Sequence, residues 1–229
     1  MNRDDFCRLY WSYYLVLEKD FLDTERYISF DLGDNYLYDS HTIHDYGNSG
    51  AFSNEFVKQY QAICSEVDVV LKTICKELSG ITANNMPAYT DLVLKKWKTL
   101  SEQKVRMNTI KLQPFKNWKP SPLYSAPDWW TPYNRVKHER LENFKEANLK
   151  NVMNALAGLY TLESYLVKYI GDRDKTKDVP NDISNLFELI GFHTDVKVTG
   201  REEYPMTDRE IKENINRNIN VRPQTDDAE

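Results

Sequence analysis

SNEFVKQYQAICSEVDVVLKTICKELSG, residues 53–80, is the stretch that most clearly predicts the fold. Apolar residues recur along it at steps of three and four, which places them on one face of an α-helix. Ser53 is a suitable N-cap because its hydroxyl can accept a hydrogen bond from a free backbone amide, and Gly80 is a typical helix stop. We therefore predict a long amphipathic helix ending near residue 79. Its apolar face contains Phe56, Tyr60, Ile63, Val67, Val70, Ile74 and Leu78.

Helical patterns also occur on both sides of this segment. A loop rich in Gly, Asp and Asn is expected over residues 29–52, and the alternation in residues 104–130 favours an irregular or β-hairpin insertion. Thr131 and Pro132 together resemble a helix start, since Thr can cap and Pro fits the first turn. The predicted helices cover residues 4–27, 53–79, 87–100, about 131–171 and 183–190.

The composition is that of a folded chain. Of its 229 residues, 41% are hydrophobic and 28% are charged, which suits one compact domain. We predict a mostly α fold: a helical bundle with a small irregular or β-hairpin insertion over residues 1–200, followed by a polar, partly disordered tail over residues 201–229. The sequence shows no signal-peptide pattern and no bilayer-length apolar run, so we expect a cytoplasmic protein without membrane contact. Three cysteines without CxxC spacing favour buried free thiols.

Charge is distributed unevenly. The net charge of -5 argues against indiscriminate coating of nucleic acid, yet residues 91–120 carry eight Lys or Arg against only Asp91 and Glu102. Such a segment is either a solvated basic face or a patch that faces RNA. The candidate RNA-binding residues are Lys95, Lys96, Lys98, Lys104, Arg106 and, further along the chain, Lys137.

Polar residues cluster at the start of the helix predicted from residue 131. Asn134 and His138 lie four positions apart and so share a helix face, separated by about 40° on the wheel. If one helix continues to about residue 171, this face also carries the apolar residues Leu141, Val152, Leu156 and Leu159. The two side chains then either hydrogen-bond to each other or to nearby carbonyls at the edge of the bundle core, or line a polar pocket.

The YNRVKHER segment (133–140), the all-helical layout and the small-residue segment ANLKNVMNALAGLY (147–160) resemble the HEPN superfamily over about residues 53–170. Members are helical bundles that often carry an Arg-polar-His motif and frequently act as metal-independent ribonucleases in defence and toxin systems. Their usual order is Arg-Asn-x-x-x-His. Here Asn134 precedes Arg135 and only two residues separate Arg135 from His138, so the family's Arg corresponds to either Arg135 or Arg140.

The resemblance implies an RNA-cleaving or RNA-binding effector without cofactor or metal, with a homodimeric cleft and an antitoxin or other protein partner. Imidazole can move a proton near neutral pH, and cations can hold phosphate. A non-catalytic helical module for protein contacts is the alternative. The candidate catalytic residues are His138, Arg135, Arg140, Asn134 and an acidic residue from the second helix, for which Glu66 is favoured over Asp68.

A different site is suggested by YDSHTIHDYG (38–47), where His41 and His44 have H-x-x-H spacing beside Asp39 and Asp45. Two histidines do not define a tetrahedral zinc site without further ligands, and the Gly-flanked segment is typical of a surface loop. We therefore predict no metal site.

Overall fold

A computed structural model describes residues 1–33 and 47–195. The protein is mostly α, a helical bundle with one small antiparallel sheet, so the predicted fold class is confirmed. The proposed tail (201–229) and the histidines of the H-x-x-H segment, His41 and His44, lie outside the described residues. Over the described ranges no helix is long and apolar enough to cross a membrane.

The helices follow the sequence pattern over most of the chain. The N-terminal segment is helical from Arg3 to Arg26, with a π-helical stretch at Cys7–Trp11 and a last turn of 3-10 helix at Asp23–Arg26. The elements are α1 (Arg3–Phe6), α2 (Ser12–Leu22), α3 (Asn54–Ser79), α4 (Met86–Lys96), β1 (Lys104–Met107), β2 (Ile110–Leu112), α5 (Trp130–His138), α6 (Arg140–Asn143), α7 (Leu149–Asp174) and β3 (Glu188–Ile190).

Two long helices, α3 and α7, form the centre of the bundle and run in the same direction. Their starts are joined by the amide of Leu149, which donates to the carbonyl of Ala51 at 2.8 Å, and their ends by Arg173 and Glu77 at 2.5 Å. The α3 caps are as predicted: Ser53 Oγ accepts from an amide three residues on, and the residue after Ser79 is left-handed, with φ 70°. The seven predicted apolar positions of α3 lie in the core or pack against it.

The predicted hairpin is present, and the chain adds a third strand to it. The strand order is β2-β1-β3, and all pairings are antiparallel. Val105 on β1 stands opposite Leu112 and Leu189, and all three are buried. The prediction of a short helix over residues 183–190 is wrong, because the last residues of this segment form β3, which pairs with the open edge of β1. A strand there satisfies backbone groups that an exposed edge would leave unpaired.

The single helix predicted from residue 131 to about 171 is also wrong. The chain leaves helical geometry at Glu139 (φ -135°, ψ 54°), and α7 begins only after Asn148, whose side chain caps it. An antiparallel bridge between Phe52 and Asn148 holds that cap extended, so a tertiary contact overrides helix propensity here. Thr131 lies inside α5, which begins at Trp130.

Candidate functional site

The helix break changes the surroundings of the predicted catalytic cluster. Asn134 and His138 do lie on one short helix, α5, but the later turns of the predicted helix belong to α7 and run separately. Leu141, expected on the same apolar face, is 96% exposed. Among the described residues the side chain of half-buried Asn134 has no hydrogen-bond partner, so it does not orient His138 within one chain.

Arg135 is occupied by an intramolecular ion pair. Its Nε donates to Glu146 Oε2 at 2.8 Å, and a terminal guanidinium nitrogen lies 2.8 Å from Oε1 of the same carboxylate. This fork-to-fork geometry fixes both side chains and ties the end of α5 to the short 3-10 turn Phe144–Glu146. Arg135 would have to leave Glu146 to hold phosphate with its full guanidinium.

The other residues of the cluster remain on the surface. His138 and Arg140 are exposed on either side of the break at Glu139, and neither has an ion-pair or hydrogen-bond partner among the described side chains. Lys137 is exposed too, with Nζ 5.7 Å from the centre of the Tyr133 ring. These groups form an open surface at the end of α5 rather than a closed cleft.

Glu66 faces the interior of the bundle. It is half-buried on α3, and burial raises the pKa of its carboxyl. Its electrostatic neighbour is Glu163 on α7, and no hydrogen bond or ion pair joins it to the α5 cluster within the described chain.

Glu163 was missed by the sequence analysis. It is 0% exposed, and neither carboxylate oxygen has a hydrogen-bond partner in residues 1–33 and 47–195. Burial, with a smaller contribution from Glu66, holds the pKa of this carboxyl well above its usual range. The available signal was one acidic residue inside the apolar run ALAGLYTLESYLVKYI, residues 155–170.

A cavity of about 600 Å³ is lined by three separate parts of the chain, two of which supply lysines, and we call it the basic cavity. The hairpin and the turn after it supply one part of the lining, the beginning of α5 supplies Pro132, and the first turns of α7 supply the rest. Its cationic residues are Lys104, Lys111, Lys116 and Lys150. Its amide side chains are Gln113, Asn117, Asn151 and Asn154.

A buried tryptophan positions these walls. Trp129 Nε1 donates to the carbonyl of Pro114 at 2.8 Å, and the Trp129 carbonyl accepts from the hydroxyl of Tyr60 on α3. The Trp129 ring also lies against Gly158 of α7, where a Cβ atom would come within 2.8 Å of it. The cavity is therefore held by the core and does not depend on surface loops alone.

The electrostatics of the basic cavity come from its side chains. Asp128 is its one acidic lining residue, and both of its oxygens already accept from Asn117, at 3.0 and 2.8 Å. The first amides of α7 are used as well: Leu149 N and Lys150 N donate to the carbonyls of Ala51 and Ser49. Lysines thus outnumber carboxylates around a polar space, which favours an anion.

The predicted RNA-binding residues are divided by the fold. Lys104 lines the basic cavity, whereas Arg106, next on the same face of β1, is paired with Glu188 on β3. Lys96 lies 5.2 Å from the centre of the Tyr169 ring, near a separate cavity. Lys95 and Lys98 are exposed at the end of α4, away from the lining of the basic cavity. The contribution of α7 was missed because Lys150, Asn151 and Asn154 are remote in sequence from the basic segment.

In comparisons with known proteins, no protein-family model, curated protein or solved structure matches the chain. The described ranges also hold no group of three or more His, Cys, Asp or Glu side chains placed to bind a metal ion.

Proposed function

We propose that the protein binds RNA and that the basic cavity holds consecutive phosphates of the strand. The observation that carries this proposal is the convergence of Lys104, Lys111, Lys116 and Lys150 on one polar cavity. Cations facing phosphate are the main source of affinity for nucleic acid. The cavity lies within a chain of net charge -5, so attraction would be local to this face.

A polyanion fits this cavity better than one small anion. Four ammonium groups exceed what a single phosphate can neutralise, and they come from separate elements, the hairpin region and α7. The amide side chains between them can donate hydrogen bonds to sugar or phosphate oxygens and can accept from a 2′-hydroxyl. Single-stranded RNA presents all of these groups, and its backbone can bend into a concave surface.

We expect the triple variant Lys104→Ala, Lys116→Ala, Lys150→Ala to lose most of its affinity for single-stranded RNA. The slope of log affinity against log salt is negative, and each lost phosphate contact should reduce its magnitude by about 0.7. The triple variant should therefore have a slope shallower by about 2. Fluorescence anisotropy with a labelled single-stranded RNA, measured over a salt series, gives both values.

The matched control carries the same loss of charge elsewhere: Lys19→Ala, Lys58→Ala, Lys76→Ala, all exposed on the surface. It should keep nearly all of the affinity and the salt slope. Equal losses in the two triple variants would show that net charge, and not the basic cavity, controls binding. Parallel titrations with single-stranded DNA and duplex RNA show whether the 2′-hydroxyl and the strand's flexibility matter.

Metal-independent RNA cleavage is a second candidate, favoured by the unpartnered exposure of His138 and Arg140 beside Lys137. An imidazole there could take the proton of a 2′-hydroxyl while the cations stabilise charge on the phosphate. We expect His138→Ala to abolish cleavage of total RNA in EDTA, with binding through the basic cavity retained. Exposed His193 provides the control His193→Ala, which should cleave normally. Equal RNA profiles for the wild type and His138→Ala would exclude His138 as the proton-transfer group.

The remaining expectations from the HEPN resemblance stay predictions. A homodimer would bring two α5 ends together and could supply the closed cleft that one chain does not form. An antitoxin partner, a role in defence and the alternative of a non-catalytic interaction module also stay untested. Light scattering with and without RNA addresses the dimer directly.

A further inference from the structure

A second cavity, of about 690 Å³, lies between the N-terminal helical segment, α7 and the chain after α7. Its volume is in the range of small-molecule sites, and its lining is largely apolar. Aromatic rings form much of the wall: Tyr160 lies 6.0 Å from Trp11 and 5.7 Å from Phe187 between ring centres. Phe192 lines the same space. We call it the Asp178 cavity, after the one carboxylate in its lining that is buried.

Asp178 is 2% exposed, and only one of its oxygens is satisfied. Oδ2 accepts from Lys168 Nζ at 3.1 Å and from the amide of Asp195 at 2.5 Å. Oδ1 has no hydrogen-bond partner within the described residues. An unpaired buried acceptor destabilises the folded state, so a ligand donor that reaches it would offset part of this cost.

The wall that carries Asp178 is fixed by the fold. Gly171 lets the chain return close to α7, because a Cβ atom there would lie 2.5 Å from Asp178 Cα. Arg3 Nε donates to the carbonyl of Val179 at 2.9 Å, and Trp11 Nε1 donates to that of Asp182 at 2.8 Å. These bonds hold the segment in place without a ligand, which favours a preformed site.

We infer that the Asp178 cavity binds a small aromatic molecule carrying an ammonium or similar N–H donor. The ring packs among the aromatic walls and the donor approaches the Asp178 carboxylate, with Asp182 and Glu188 as the other carboxylates of the lining. Arg3 also lines the cavity, but its guanidinium is engaged by Val179 and by Asn181 Oδ1 at 2.8 Å. Lys177 is the remaining cation of the lining, so the charge preference of the site is part of the test.

Tryptamine is a suitable probe, and indole-3-propionate is its matched control with the same ring and the opposite charge. Titration calorimetry of the full chain should detect tryptamine binding and at least tenfold weaker binding of the propionate. Ser164→Leu fills the cavity from α7, where Ser164 is buried and lines it, and should abolish binding. Asp178→Asn should weaken binding of tryptamine about tenfold or more.

Each outcome decides for or against the site. Absence of tryptamine binding to the wild type, or equal affinity for both probes, would overturn the inference. Unchanged binding by a folded Ser164→Leu variant would place the probe elsewhere. If thermal unfolding shows that either variant does not fold, the comparison of the two probes on the wild type remains decisive. The basic cavity plays no part in this test, so failure of RNA binding would leave it unaffected.

Discussion

Glu163→Gln should make the protein more stable at neutral pH. The wild-type carboxyl is fully buried without a hydrogen-bond partner, and its pKa in the folded state is raised well above the ordinary value of 4.5. Folding at pH 7 therefore requires Glu163 to take up a proton or to bury an unpaired charge. Taking the proton from pH 7 to a group of ordinary pKa costs up to about 3 kcal/mol, and Gln avoids this cost.

The direction of the pH dependence follows from the raised pKa. Glu163 imposes no proton cost below the unfolded pKa, near 4.5, and its cost grows as pH rises towards the folded-state pKa. The difference in unfolding free energy between Glu163→Gln and the wild type should be small at pH 4 and should increase as the pH is raised to 7. Urea unfolding at several pH values measures this difference.

Glu66→Gln is the matched control on the facing helix. Its carboxyl is only half-buried, and burial raises its pKa less. This variant should gain less stability than Glu163→Gln, and it should lower the pKa of Glu163 by removing a neighbouring negative charge. A parallel pH profile for Glu163→Gln and the wild type would mean that Glu163 has a partner or a solvent path in solution.

Local sequence signals predicted the elements whose ends are set by their own side chains. The α3 helix is the clearest case, since Ser53 caps its start and Gly80 ends it, as their residue types require. The hairpin also followed from local alternation, with Asn108 adopting the left-handed turn conformation at φ 50°. In both places propensity, pattern and tertiary packing agree.

Long-range contacts account for what the sequence did not predict. The break before α7 depends on Asn148 pairing with Phe52, and β3 depends on an open edge of β1 far away in sequence. The basic cavity has the same origin: the charge run supplied Lys104, but Lys150 reaches it only through the packing of α7. The pattern within one segment does not show which distant segment will pack against it and complete a site.

Trp129→Ala should cause a large loss of stability. The ring is 1% exposed, packs against Phe115 and Gly158, and donates to the carbonyl of Pro114 at 2.8 Å. Truncating a buried Trp costs about 3–5 kcal/mol, because it removes apolar burial and leaves a cavity that neighbours fill only in part. For a chain of this size the melting temperature should fall by about 6–20 °C.

Two further variants separate the contributions of Trp129. Trp129→Phe keeps most of the ring but removes the donor to Pro114, so it should lose less, about 1–3 kcal/mol. Leu141→Ala is the surface control: that side chain is 96% exposed, and its truncation should change stability by no more than about 0.5 kcal/mol. Differential scanning calorimetry ranks the three. Equal melting temperatures for Trp129→Ala and the Leu141→Ala control would contradict the central packing role of this ring. The same result would contradict the conclusion that Trp129 holds the walls of the basic cavity together.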